Sequence, residues 1–578
     1  MIFDEKNKNK IYLFLILAFV LIYIVPLGFR PLIVPDETRY AQIPREIVQS
    51  GDWVVPRLGG LRYFEKPIMG YWLNAVSQLI FGENNFAVRF MSAFTTGLSA
   101  LMLFWFVRKL KGFEAAVWTT MIFMISSLVY YIGTFAVLDP HTSMFLTGAL
   151  ITFYLAYDAK KVKVKLLWLA AFGAFCGGAF LAKGFIAIAV PGVTIAPFLI
   201  YKKKWKEILW MPWIPFVVAV LVSLPWAIMI HQREPDFWNY FFWVEHIQRA
   251  IGSESGQHPE PFWYFIPVII GGTIPWTFLA PAIFSVTKFR IPKDDLLLFC
   301  VCWTIFPFIF FSIPNGKLGT YILPLYPGLA YVLCVGLRKY FAEGNIKIFN
   351  ICCKVIYIIL IVGAVGFAAH QVLSMTGISA KVIALFTSKE LPQTALYMTH
   401  EYWKWLAALA MVAVWIVLLY CAAKTENVQK KFVYFFVGPL MVFFIGNVVL
   451  PDFIRDGKAP EHFLMKYADK VPDDAVIVVY KNLFPEVSWY YNRTDLYVFH
   501  KGGELEYGLG HLKGSPEYPD GRRRLISKEK LEEMTRDPQY KGKLVFIMRS
   551  KRKRESVPTN VQFEVYDPDK GAIMFAIY

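Results

Sequence analysis

Apolar residues fall in long uninterrupted runs separated by short polar turns, a pattern unlike the two-residue alternation of a half-buried strand. Runs of roughly 18 or more such residues suffice to cross a ~30 Å hydrocarbon core. Spans are predicted at 11–29, 86–107, 113–133, 141–158, 166–182, 184–201, 209–230, 261–287, 295–313, 319–337, 349–372, 403–422 and 432–450, thirteen in all. The stretch 166–201 is too long for one crossing, ~54 Å at 1.5 Å per residue. Lys183-Gly184 divides it into a hairpin.

Basic residues set the orientation. Lys6, Lys8 and Lys10, then Arg108, Lys109 and Lys111, then Lys160, Lys161, Lys163 and Lys165 fall on one side. Lys202 to Lys204 with Lys206, Lys288, Arg290 and Lys293, Arg338 with Lys339, and Lys424, Lys430 and Lys431 follow on that same side. The N-terminus is therefore expected in the cytoplasm and, after an odd number of spans, the tail is expected outside. The first apolar run lacks a small-residue cleavage site and reads as an anchor.

The tail changes pattern. Ala475 to Tyr480, Leu544 to Met548 and Gly571 to Ile577 predict strands, and Ser527 followed by Lys528 to Met534 predicts a capped helix. The expected organisation is a polytopic α-helical membrane domain, residues 1–451, followed by a mixed α/β domain, residues 452–578, free of disulfides. Internal repeats are not apparent, which weakens an inverted-repeat transporter.

Composition agrees. Hydrophobic residues make up 56% of the chain, charged residues 18%, and mean hydropathy is +0.44, which excludes disorder and a purely soluble protein. Aromatics at 17% suit wide interfacial belts. The net charge is +17, yet from Asp452 onward 22 basic and 20 acidic residues nearly balance, so the excess lies in turns between spans. That is a topology signal, and nucleic acid is not an expected partner. All seven cysteines lie in apolar spans without metal-ligand spacing and read as small hydrophobes.

Two external stretches exceed what connectivity requires, about 30–85 and 231–260. In the first, Tyr40, Ile43, Ile47 and Val48 alternate with Gln42, Arg45, Glu46 and Gln49, predicting a helix along the membrane surface. Asp36 suits the N-cap of that helix with Glu37 in its first turn, and equally a carboxylate beside a reacting sugar. Leu138-Asp139-Pro140 also reads as a helix start, with Asp139 on the same face as Asp36. Lys66 fits a lipid phosphate or a snorkelling interfacial lysine, and Lys183 fits a helix C-terminal cation. Arg249 faces lipid phosphate or simply solvent. Asn315-Gly316-Lys317, with Tyr321, Pro324, Tyr326 and Pro327, fits a head-group pocket or a plain hairpin. His246 and His258 suit surface positions. No cofactor is expected to be required; a divalent metal, if bound, is expected between His246 and Glu65. Neither a Gly-rich phosphate loop nor a Ser nucleophile elbow occurs on the cytoplasmic side. The polar concentration lies outside, where nucleotides are scarce, so a lipid-linked donor fits better.

An ordered set of motifs carries a resemblance: Asp36-Glu37-Thr38-Arg39-Tyr40, Phe64-Glu65-Lys66-Pro67, Leu138-Asp139, Glu245-His246, and Lys317-Leu318 through Tyr321-Ile322-Leu323-Pro324. The chain resembles the GT-C glycosyltransferases and, more narrowly, the bacterial lipid A aminoarabinose transferases, relatives of the protein O-mannosyltransferases. Pro67-Ile68 departs from the two prolines frequent in that family. The resemblance implies transfer of 4-amino-4-deoxy-L-arabinose from undecaprenyl phosphate to a lipid A phosphate. It places the protein in the bacterial inner membrane with site and tail in the periplasm, and links it to polymyxin resistance. It implies Asp36 and Asp139 as catalytic candidates and Lys66 as the donor-phosphate contact; Glu37 is a further catalytic candidate, and Asp139 or Glu37 also suits the donor's protonated amine. Tyr63, Arg39, Arg249, Lys317, Tyr321 and Tyr326 are the further substrate-binding candidates. The alternatives are a polyprenyl-phosphate-mannose-dependent protein O-mannosyltransferase and a non-enzymatic lipid-sugar flippase.

Overall fold

Long apolar runs become long helices in the structure, a computed structural model that describes residues 4–248, 259–287, 291–376, 396–510, 519–549, 558, 560–567 and 573–578. Among the described residues nine helices are long and apolar enough to cross a membrane. Two bent pairs, Phe113–Ile125 with Ser127–Gly133 and Phe265–Gly272 with Trp276–Val286, raise the number to eleven. The pairs turn by 64° and 90°. Extended backbone at Ser126 breaks the first, and Pro275, which lacks an N–H, sits in the second break. The other two predicted spans fold as Asp139–Asp158, 20 residues with a run of buried Thr and Ser, and Ile186–Tyr201, 16 residues carrying Pro191 and Pro197.

Burial sorts these helices. Phe113–Ile125 is buried almost throughout, whereas Lys347–Met375 and Thr399–Lys424 leave most of their apolar surface outward, as contact with lipid chains requires.

The first external stretch folds as the helix Asp36–Ser50, a hairpin of β1 (Arg57–Leu58) and β2 (Leu61–Arg62), and the helix Met69–Phe81. The tail contributes β3 (Val476–Tyr480), β4 (Tyr497–Phe499), β5 (Leu525–Ile526), β6 (Leu544–Arg549), β7 (Phe563–Asp567) and β8 (Ile573–Ile577). Their order is β5-β4-β3-β6-β8-β7, parallel from β5 through β6 and antiparallel beyond. Alternate residues serve opposite faces. Ile477, Val479, Val545 and Ile547 join the core that continues into the membrane bundle. Val478, Leu544, Phe546 and Met548 pack beneath Leu531 and Met534 of the helix Lys528–Arg536. Ser527 caps that helix as expected, its side chain accepting from Lys530 N at 3.2 Å.

The helix Asp36–Ser50 departs from expectation. It does not lie open on a membrane surface: Glu37 to Ile47 are all buried. Arg45 donates to the carbonyls of Ser488 (2.6 Å) and Trp489 (2.8 Å), and Thr38 Oγ1 donates to Glu486 at 3.0 Å. The C-terminal domain covers the face expected to lie open. The β1–β2 turn reaches the same seam, where Arg524 donates to Gly59 O at 2.5 Å. Gly59 and Gly60 have φ of 60° and 76°, and a Cβ on Gly59 would meet the Phe484 ring at 2.3 Å.

Candidate active site

Asp36 opens its helix as the first helical residue, behind Pro35, and no side chain caps that end. Asp139 stands likewise behind Leu138. Neither carboxylate is used up in capping. Asp36 stays half exposed, 3.8 Å from Arg39. Asp139 is paired: Lys183 Nζ donates to its Oδ1 at 2.6 Å, and the same ammonium lies 4.5 Å from the centroid of Tyr321. The two carboxylates share a neighbour. Burial raises the Tyr40 hydroxyl above its ordinary range, Tyr71 adds to the rise, and the charges of Asp36 and Asp139 both push the same way.

Glu37 adjoins Asp36 in sequence and faces elsewhere. It is fully buried, bound by Arg30 (2.5 Å), by Arg89 (2.7 Å) and by the backbone N–H groups of Ile33 (2.9 Å) and Ala136 (3.0 Å). Burial alone would raise its carboxyl, but the two guanidinium groups outweigh burial and hold it well below the usual carboxylate range. The expectation of a catalytic Glu37 is therefore corrected: it clasps the first span to the helix Asn85–Lys111 and presents no oxygen to a reactant.

Arg39 and Tyr63 come together on a group that sequence reasoning missed. Arg39 donates to Glu504 at 2.7 Å and Tyr63 Oη donates to the same oxygen at 3.3 Å. Glu504 lies more than 400 residues away in the tail, and no local pattern marks it. Lys66 is paired with Glu245 of the second external stretch and donates to Glu65 O at 2.8 Å. That stretch folds as a short helix, Phe237–Asn239, continued by the π-helical Tyr240–Gln248. Phe64 packs on Phe237 at 5.1 Å and on Tyr507 at 5.3 Å, so both external stretches and the tail converge on the Tyr63–Lys66 segment.

Two candidates serve packing. Lys317 is buried and donates to Glu260 O at 2.8 Å, pinning the turn to the second stretch. Tyr326 is buried with its Oη against Gly272, at the break of the bent span. Arg249, His258 and the side chain of His246 lie outside the described residues, so the expected metal pair reduces to Glu65. Another group, His400, Glu401 and Asp452, brings potential ligand atoms within 4.8 Å of one another. Lys404 already binds Glu401 (3.0 Å) and Asp452 (2.6 Å), and Arg455 binds Asp452 (2.5 Å), so resident cations balance this cluster and it does not fit a metal.

Among the helices Val162–Lys183, Ile186–Tyr201 and Trp213–Arg233, an apolar cavity of about 460 Å³ is lined by Phe172, Phe180, Phe185, Ile188, Ile195 and Phe216, with Glu207 its one charged lining residue. An apolar recess of this size suits lipid chains.

Residues 10–241 match the family described as dolichyl-phosphate-mannose-protein mannosyltransferase, and residues 455–575 match the arabinosyl transferase ArnT C-terminal domain. The structure resembles that of ArnT from Cupriavidus metallidurans bound to undecaprenyl phosphate, with a TM-score of 0.78, 23% identity and 98% of each chain covered. Undecaprenyl phosphate-α-4-amino-4-deoxy-L-arabinose arabinosyl transferases from Shewanella sediminis and Serratia proteamaculans are each 37% identical, over 92% and 94% of both chains respectively. At this identity over nearly the whole of both chains, the chain belongs to the undecaprenyl phosphate-α-4-amino-4-deoxy-L-arabinose arabinosyl transferase family.

Proposed function

We propose that this membrane-embedded glycosyltransferase moves 4-amino-4-deoxy-L-arabinose from undecaprenyl phosphate to a phosphate of lipid A, at the periplasmic face of a bacterial inner membrane. The observation that carries this reading is family membership combined with a site that gathers two carboxylates, Asp36 beside Arg39 and Asp139 on Lys183, with Lys66 held by Glu245, in a bundle that also holds an apolar cavity. The apolar cavity accommodates prenyl units.

In the reaction the bond between the sugar's anomeric carbon and the donor phosphate oxygen breaks, and its electron pair leaves with undecaprenyl phosphate. An oxygen of the lipid A phosphate forms the new bond to that carbon. The transition state resembles an oxocarbenium ion, which carboxylates stabilise electrostatically. The leaving phosphate needs cationic stabilisation more than protonation, and Lys66 supplies it. A phosphate monoester, with a second pKa of about 6, is already anionic near neutrality. Asp36 therefore orients and stabilises in place of deprotonating. The added amine would offset lipid A charge and weaken binding of cationic peptides such as polymyxin.

The test incubates purified protein in lipid with the undecaprenyl-linked sugar and lipid A, following lipid A by mass spectrometry. Wild type is expected to add one aminopentose, and Asp36→Asn and Lys66→Ala to lose that increment. A folded wild-type protein with intact donor and no increment refutes the reading and turns attention to mannosyl transfer onto protein hydroxyls, where Asp36 would have to act as a base.

A further inference from the structure

At the end of the bundle that carries the tail, the first span and the last two spans meet the helix Asp452–Lys458 around a pocket of about 340 Å³. Phe29 and Arg30, just past the first span, line one side. Trp403 and Lys404 line it from the start of the helix Tyr402–Lys424, Asn447 from the end of Val428–Gly446, and Arg455 from the tail. Three of these residues are cations, and no carboxylate lines the pocket.

The cations are held from outside it. Glu37 binds Arg30 at 2.5 Å, and Glu401 and Asp452 bind Lys404 at 3.0 and 2.6 Å. Arg455 puts Nη1 on Asp452 (2.5 Å) and Nε on Asp456 (2.8 Å), while its Nη2 has no partner among the described residues. The indole N–H of Trp403 also has no hydrogen-bond partner among them, and that side chain is half exposed. Two donors are therefore open where the cations' charges are already largely met. Such a place suits a single negative charge spread over oxygens, a phosphodiester, better than a doubly charged group.

The surroundings are those of a membrane interface. Phe29 is half exposed, Tyr402 stands exposed beside Trp403, and Phe453 and Ile454 stand exposed immediately before Arg455. Aromatic side chains gather at head-group level because one end is apolar and the other meets water. The helices Lys347–Met375 and Thr399–Lys424 turn most of their apolar surface outward, so acyl chains have a place to run alongside.

We propose that this pocket binds the phosphodiester of a membrane phospholipid, with Arg455 Nη2 and Trp403 Nε1 donating to its oxygens and Phe29 packing on the first chain carbons. A lipid seated there joins the first span, the last two spans and the start of the tail. The assignment is independent of the transfer reaction proposed above, and its test reads binding.

The full chain in neutral detergent is exposed to phosphatidylglycerol carrying a photoreactive group beside the head, and crosslinked peptides are mapped by mass spectrometry. Crosslinks are expected around Phe29 and Trp403. Unlabelled phosphatidylglycerol is expected to suppress them at a concentration at least about 10-fold below that of diacylglycerol with the same chains, the scale of a hydrogen bond to a charged group. Arg455→Gln is expected to weaken binding about 10- to 100-fold. Because Arg455 also bridges two aspartates, Trp403→Phe, which removes one N–H and keeps the ring, is read beside it and is expected to weaken binding about 10-fold. Equal competition by diacylglycerol, or unchanged affinity in Trp403→Phe and in a folded Arg455→Gln, overturns the proposal. Suppression by inorganic phosphate at the same concentration shows a free-anion site, and suppression by lipid A at a lower concentration shows an acceptor site; either result overturns the assignment to a phospholipid.

Discussion

Lys183 Nζ lies 2.6 Å from Asp139 Oδ1 and faces the Tyr321 ring, so the helix turn at Lys183-Gly184 delivers a cation to a carboxylate rather than to solvent. Both side chains are nearly buried, at 11% and 13% exposure. Removing one member of such a pair leaves the other charge unmatched.

Lys183→Met is therefore expected to destabilise the protein by about 3 kcal/mol and to abolish transfer, with Lys183→Arg retaining the fold and part of the activity. Melting of detergent-solubilised protein, read beside the lipid A assay, separates the two effects. A Lys183→Met variant with unchanged melting and turnover would refute the pairing.

Adjacent residues Asp36 and Glu37 should fail differently. Glu37→Gln weakens the Arg30 and Arg89 clasp and is expected to cost about 3–5 kcal/mol, lowering yield and melting temperature together. Asp36→Asn, at a half-exposed position, is expected to change stability by less than about 1 kcal/mol while turnover is lost. Comparable losses of melting temperature in both variants would contradict the division of labour drawn here.

The seam between the helix Asp36–Ser50 and the tail should loosen as pH rises. Burial pushes the Glu486 carboxyl up to about 7, against only partial relief from its hydrogen bonds and from the nearby arginines. A folded-state value above the unfolded one means the extra stability is complete below about pH 4.5. It declines between there and pH 7 and is absent above. A shift of this size corresponds to about 3 kcal/mol. Glu486→Gln, which keeps an acceptor for Thr38, is expected to flatten the pH dependence of melting between pH 5 and 8. An unaltered slope would show that Glu486 is not its source; Glu46, also near 7 through burial, is then the residue to replace.

Lys66 is held by Glu245, and the donor phosphate must compete for it. Lys66→Met is expected to weaken binding of undecaprenyl phosphate by about 10- to 100-fold, the scale of a charge-assisted contact. Glu245→Gln is expected to leave that affinity intact or raise it at low salt. Tighter binding by the lysine variant, measured with labelled lipid, would exclude Lys66 as a phosphate contact.

Much of this architecture is legible in the chain because lipid imposes strong local rules. Apolar length marks the spans, and Ser527 announces the helix Lys528–Arg536 through its own cap. The strands β4 and β5 escape notice because they are only three and two residues long, and β7 because Glu564 and Asp567 interrupt its apolar run. Lys66 and Asp139 are recognisable from their motifs, but their partners Glu245 and Lys183 are set by packing between distant helices. The polar face of Asp36–Ser50 looks like a surface for water, because sequence periodicity cannot say whether protein or solvent covers it. Glu504 is invisible for the same reason: its meaning depends on which part of the membrane domain the tail meets.

The grip of Arg45 on the carbonyls of Ser488 and Trp489, with Arg524 on Gly59, has a consequence for engineering and descent. A tail exchanged between relatives would arrive without its counterpart surface unless the Arg39–Arg45 turns and the Gly59-Gly60 bend travelled with it. Chimeras should therefore fail when cut at the end of the last span and succeed when both halves of the seam are inherited together.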